Sequence, residues 1–145
     1  METLEKTFIH SLIPADSVEL IQGRFNITVG AWNIHKRPLV GEGQIVISHI
    51  HVAAIVAIPW HQINQTHTLI MALRNEDARI LTDVCSPVKV GSTGRSQPFA
   101  TQYARSCTSF NVVFPCPGSY EIMACLEGIE GSERSWYFLV EDSPQ

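Results

Sequence analysis

The sequence predicts an all-β fold: a single antiparallel β-sandwich of immunoglobulin-like type, with about seven to eight strands and one short helical turn. Three observations predict it. Apolar residues recur with a period of two along most of the chain, which is the spacing of a half-buried strand. Nine glycines and eight prolines punctuate those runs, as short strands and frequent turns require. The 145 residues are 45% hydrophobic and 17% charged, enough apolar content for one packed domain spanning residues 1–145 and too little charge for a disordered chain.

The elements follow in order. A first strand is expected around Lys6–Ile13. Phe25, Ile27, Val29 and Ala31 then alternate with Asn26, Thr28 and Gly30. Pro38, Gly41 and Gly43 interrupt the pattern before a long run from Ile45 to Ile58. Pro59–Asn64 reads as a helical turn, with proline at a helix-start position. His67, Leu69, Met71 and Leu73 form one face of the next strand, and the polar Arg74–Ala78 segment reads as a hairpin turn into a short strand around Ala78–Val84. Phe110, Val112 and Phe114 share a face, as do Tyr120, Ile122, Ala124 and Leu126, and finally Trp136, Phe138 and Val140. Gly128–Gly131 closes the last hairpin. Pro115–Ser119 reads as a turn joining two paired strands, with Phe114 opposite Tyr120, Val112 opposite Ile122 and Phe110 opposite Ala124. In that register Cys107 and Cys125 lie diagonally on the outer face, about 7–8 Å apart and too far for a disulfide. Cys85 and Cys116 complete a set of four without a C-x-x-C pair, so reduced thiols are expected rather than a zinc ribbon.

Ten basic residues against 14 acidic ones exclude a general nucleic-acid binder. The acidic Met1–Lys6 start resembles no secretory signal, and the longest apolar stretch, Val52–Trp60, is too short to span a membrane, so a cytoplasmic location is expected.

One strand departs from the half-buried pattern. In the Ile45–Ile58 run both faces are apolar, so a loop of the chain or a second subunit must cover the outer one. The predicted interface comprises Ile45, Ile47, His49, His51, Ala53 and Ile55, and the predicted partner is another copy of the chain.

The order of several short motifs resembles an uncharacterised bacterial family of small single-domain β-sandwich proteins. Ala15-Asp16-Ser17-Val18, Gly23-Arg24-Phe25-Asn26 and Gly30-Ala31-Trp32 come first. His67-Thr68-Leu69 and Asn75-Glu76-Asp77-Ala78-Arg79 follow, then Pro117-Gly118-Ser119-Tyr120-Glu121. The resemblance runs from about Lys6 to Val140. It implies the sandwich fold and supplies no catalytic residue; Pro115-Cys116-Pro117 and the Gly91–Gln97 loop depart from the pattern.

Two constellations carry chemistry. Gly91, Ser92, Thr93, Gly94 and Arg95 offer backbone N–H groups, hydroxyls and a guanidinium that suit a small phosphate-containing ligand such as a nucleotide or cyclic nucleotide, without the spacing of a P-loop. His49, His51, His61 and His67 offer imidazoles for a metal-dependent enzyme, although no Asp, Glu or Cys lies between Gly43 and Arg74 to support them. No G-x-S-x-G elbow marks a nucleophilic hydrolase. The leading expectation is a non-enzymatic binding and self-assembly module with no cofactor. Ligand binding and then metal chemistry are the alternatives.

Overall fold

A computed structural model describes residues 6–22, 24–37, 47–88 and 100–142. It is an all-β sandwich of nine strands: β1 Phe8–Ile21, β2 Arg24–Gly30, β3 Ile34–Arg37, β4 Ser48–Ile58, β5 His67–Asn75, β6 Ile80–Val88, β7 Gln102–Val112, β8 Gly118–Leu126 and β9 Arg134–Asp142. A 3-10 turn, Trp60–Gln62, follows Pro59, the position that fixed φ favours for a turn start. One sheet has the order β2-β1-β4-β7 and is antiparallel; the other has the order β3-β9-β8-β5-β6. In the second, β3 runs parallel to β9, so that sheet is mixed.

The core lies between the sheets. From the four-stranded sheet come Ile50, Val52, Ala54, Val56 and Ile58 of β4, each 0% exposed, together with Ile9, Leu12, Phe110 and Val112. From the other come Leu69, Met71, Leu73, Ile122, Ala124, Leu126, Phe138 and Val140. Phe114, Tyr120 and Phe138 stack at one end, with Phe114 and Tyr120 edge-to-face at 4.8 Å between centroids. The Arg37 guanidinium closes that end, donating from Nε to Asp142 (2.8 Å) and from Nη1 to the Phe114 carbonyl (2.9 Å).

The expected hairpin around Pro115–Ser119 is not a hairpin. β7 pairs with β4 and β8 pairs with β5 and β9, so the segment crosses from one sheet to the other. Phe114 and Tyr120 do meet, but across the sandwich. The reason is covalent: Pro115 and Pro117 have no N–H to donate, so the ladder cannot run through them. Cys107 and Cys125 consequently lie on different sheets, and all four cysteines are free thiols. The hairpin through Asn75–Ala78 forms as expected, its turn held by Asn75 Oδ1, which accepts from the amides of Asp77 and Arg79. β8 and β9 pair across the Gly128–Gly131 turn.

On the outer face of the five-stranded sheet Arg74 and Glu121 form an ion pair at 2.6 Å. Burial alone would raise the Glu121 carboxyl, but hydrogen bonds from Ser135, Arg74 and Tyr137 and the charge of Arg74 hold it below its ordinary value. A carboxyl lowered by folding contributes stability above its unfolded pKa and loses it as pH falls through the folded one. Glu121→Gln is therefore expected to cost about 1–3 kcal/mol at neutral pH, by analogy with other charged hydrogen bonds. Urea unfolding of both proteins between pH 7 and pH 3 measures it, and the gap between them should narrow as the pH falls.

Candidate functional site

The candidate site is the outer face of the four-stranded sheet, built on β4. β4 pairs with β7 residue for residue over its whole length, from Ser48 opposite Val112 to Ile58 opposite Gln102. On the other side it pairs with the first half of β1, with a register shift between Ile9 and Ser11. Rows of side chains therefore cross the face: Phe8, Ala57 and Tyr103; Ser11, Ile55 and Arg105; Ile13, Ala53 and Cys107; Ala15, His51 and Ser109; and His49 beside Asn111.

The chain covers part of this face itself. Ala53 is 1% exposed and packs in a small cluster with Ala15 and Val18, bordered by Ile13, Phe25 and Ile27. Ala15 and Val18 are of opposite parity yet share that cluster, so β1 turns its faces between them. β2 follows the curl. Val29 and Ala31 take positive φ values of 50° and 59°, and the Ala31 amide donates to the Pro14 carbonyl at 2.8 Å. Of the two alternative covers the apolar pattern allows, a segment of the chain itself, the β1–β2 arm, supplies the one over Ala53.

The rest of the face is open. Ile47, just before β4, is 55% exposed, Phe8 41% and Tyr103 49%. Ile55 and His51 are half-buried and His49 is exposed. Ala57 is buried in the same row as Phe8 and Tyr103, and the His10 ring lies 6.4 Å and 5.6 Å from those two rings. The side chains of β4, β7 and Phe8–Ala15 include no carboxylate, whereas Arg105, His10, His49 and His51 supply basic groups. Neighbouring side chains partly desolvate the exposed Cys107 thiol and raise it above its ordinary value.

The histidines do not converge. His49 hydrogen-bonds Asn111 on the outer face, His61 is exposed on the 3-10 turn, and His67 is buried at the start of β5 with Nε2 3.4 Å from the Gln62 carbonyl. Among the described residues no group of three or more His, Cys, Asp or Glu side chains is placed to hold a metal ion. The separation follows from topology: β4 and β5 are consecutive but belong to different sheets. Ile45 and the candidate phosphate loop, Gly91, Ser92, Thr93, Gly94 and Arg95, lie outside the described residues.

Sequence reasoning missed Phe8, His10, Tyr103 and Arg105. Which strands flank β4, and so which side chains stand beside Ile55 and Ala57, is set by the pairing of β1 and β7 with it. A groove between the β5–β6 turn and Pro115–Tyr120 is the other concavity of note; Glu76 projects into it and accepts the Ser119 amide at 2.9 Å.

Gly30 tests the β1–β2 cover. A Cβ there would fall 2.5 Å from Ile27 Cγ2, so Gly30→Ala must push Ile27 off Ala15. The expected cost is about 1–3 kcal/mol, as for other overpacked sites. Urea unfolding measures it, and increased binding of a hydrophobic dye should accompany it.

Among the described residues no helix is long and apolar enough to cross a membrane. The chain matches no protein-family model and no curated protein, so its resemblance to a bacterial β-sandwich family rests on the motifs alone.

Proposed function

We propose that the protein is a non-enzymatic, cytoplasmic binding module that self-associates through the outer face of its four-stranded sheet. The observation that carries this reading is the open apolar strip on that face: Ile47 at 55% exposure and half-buried Ile55, with Phe8 and Tyr103 in the adjoining rows. Side chains of this kind lose free energy in water and regain it when a second apolar surface excludes the solvent, about 25 cal/mol for each Å² of apolar area covered. The absence of carboxylates from β4, β7 and the Phe8–Ala15 half of β1 favours the same reading, because no buried anion would oppose desolvation of that part of the face.

The outer face of the five-stranded sheet is the contrast. It also exposes Tyr137, Leu139 and Ile34, but it carries the Arg74–Glu121 pair along with Lys36, Asp83 and Glu141, which remain solvated at less cost.

Size-exclusion chromatography with light scattering tests the proposal. The wild-type chain is expected to run at a multiple of its 16.1 kDa mass at micromolar concentration. Ile47→Asp, at an exposed position, is expected to weaken association by about tenfold or more, equivalent to ~1.4 kcal/mol, while the far-UV circular dichroism of the chain stays that of the folded wild type. A wild-type chain that stays monomeric under these conditions removes the reading.

A further inference from the structure

The four margins of the two sheets differ in how they are guarded. β3 is four residues long and is pinned by the Arg37–Asp142 ion pair. β6 carries Pro87, which has no N–H, and Asp83, and its register with β5 shifts near Arg74. β2 is seven residues long, and positive φ at Val29 and Ala31 kinks its end. These are recognised ways of keeping a sheet edge from pairing with another chain.

β7 has none of them except a single charge, Arg105. It is 11 residues long, holds an unshifted register with β4 throughout, and contains neither proline nor glycine. Its outward row is Tyr103, Arg105, Cys107, Ser109 and Asn111, all exposed, and Arg105 is the one charge in the strand. Among the described residues β4 is its single strand partner, so one side of its backbone offers unpaired N–H and C=O groups.

We infer that β7 is a docking edge for a second copy of this chain, paired antiparallel to its own counterpart about a two-fold axis at Cys107, so that the two four-stranded sheets become one continuous sheet. An antiparallel edge is self-complementary under such an axis. The side chains select the register. Centred on Cys107, every residue of β7 has a partner: Arg105 meets Ser109, Tyr103 meets Asn111, Ala104 meets Phe110, and Ser106 meets Thr108. Centred on Arg105, two guanidiniums would stand opposite each other and four residues at the far end would hang unpaired. This placement rests on the self-association reading and adds where the backbones meet. It is compatible with the face contact, because the edge uses the main chain at the sheet margin and the face uses side chains across it.

In this register the two Cys107 side chains are directly opposite, with Cβ atoms about 4.5–5.5 Å apart, close to the span of a disulfide. Diamide, which accepts the two electrons and two protons released when two thiols join, is the probe. At low micromolar concentration of the wild-type chain, the linked peptide found by mass spectrometry is expected to be Cys107–Cys107. Cys85 and Cys116, which are also exposed, should contribute little, and Cys107→Ser should abolish the covalent dimer. Cys107→Lys, which sets two ammonium groups face to face, should raise the dissociation constant by about tenfold or more, whereas Cys107→Val should leave it unchanged. Association that persists in Cys107→Lys, with linkage absent or spread over Cys85 and Cys116, overturns the edge contact and leaves the face reading standing. A monomeric wild-type chain overturns both.

Discussion

The structure depends on one constraint: β4 is an interior strand whose two faces are both apolar. Its inner row, Ile50 to Ile58, is sealed by the opposite sheet. Its outer row alternates the small Ala53 and Ala57 with the larger Ile55, and the chain must find cover for that side as well. The length of β1 follows from this. Fourteen residues let its first half pair with β4 while its second half leaves the sheet plane and turns Val18 back towards Ala53. The unusual backbone of Val29 and Ala31 follows too, because without that curl Ile27 and Phe25 would point away from the patch they border. Positive φ at a β-branched residue costs on the order of 1–3 kcal/mol, which a buried apolar contact of this size can offset.

Charge is distributed to suit. Both salt bridges of the described residues lie on the five-stranded sheet or its end, and the stretches that flank β4, Phe8–Ala15 of β1 and all of β7, carry Arg105 and His10 but no acid, the first carboxylates of β1 being Asp16 and Glu19 beyond them. The shortage of charge is greatest on β4 and the stretches of β1 and β7 that pair with it. A patch without carboxylates is cheaper to desolvate than one that carries them.

Much of this was legible in the sequence. The alternations of His67–Leu73, Tyr120–Leu126 and Trp136–Val140 gave strand, inward face and approximate ends, because a strand packed on one core face writes its burial directly into a two-residue period. The covered outer face was legible from Ile47, Ala53 and Ile55, but not its division between the chain's own β1–β2 arm and open surface. That division depends on dihedral angles at Val29 and Ala31, for which neither residue type gives any signal. The pairing across Pro115–Ser119 was misread because a hairpin and a crossing between sheets bring the same inward residues together. Phe114 faces Tyr120 in both cases, and only the two missing proline N–H groups distinguish them. The parallel strand β3 went unseen, four residues being too few to show a period.

The guarded margins also decide what kind of assembly the open one permits. An exposed β7 could in principle add to the far edge of the same sheet in another copy, β7 on β2, and such head-to-tail pairing repeats without limit into a filament. The short, kinked β2 disfavours it. β2 has seven residues against the eleven of β7, and the positive φ values at Val29 and Ala31 kink its end. The edges of the other sheet are closed by Pro87 and by the brevity of β3. The one unguarded edge is left with itself as partner, and a pairing of like with like about a two-fold axis closes after two chains. The backbone feature that shields Ala53 therefore also limits the number of chains that β7 can join.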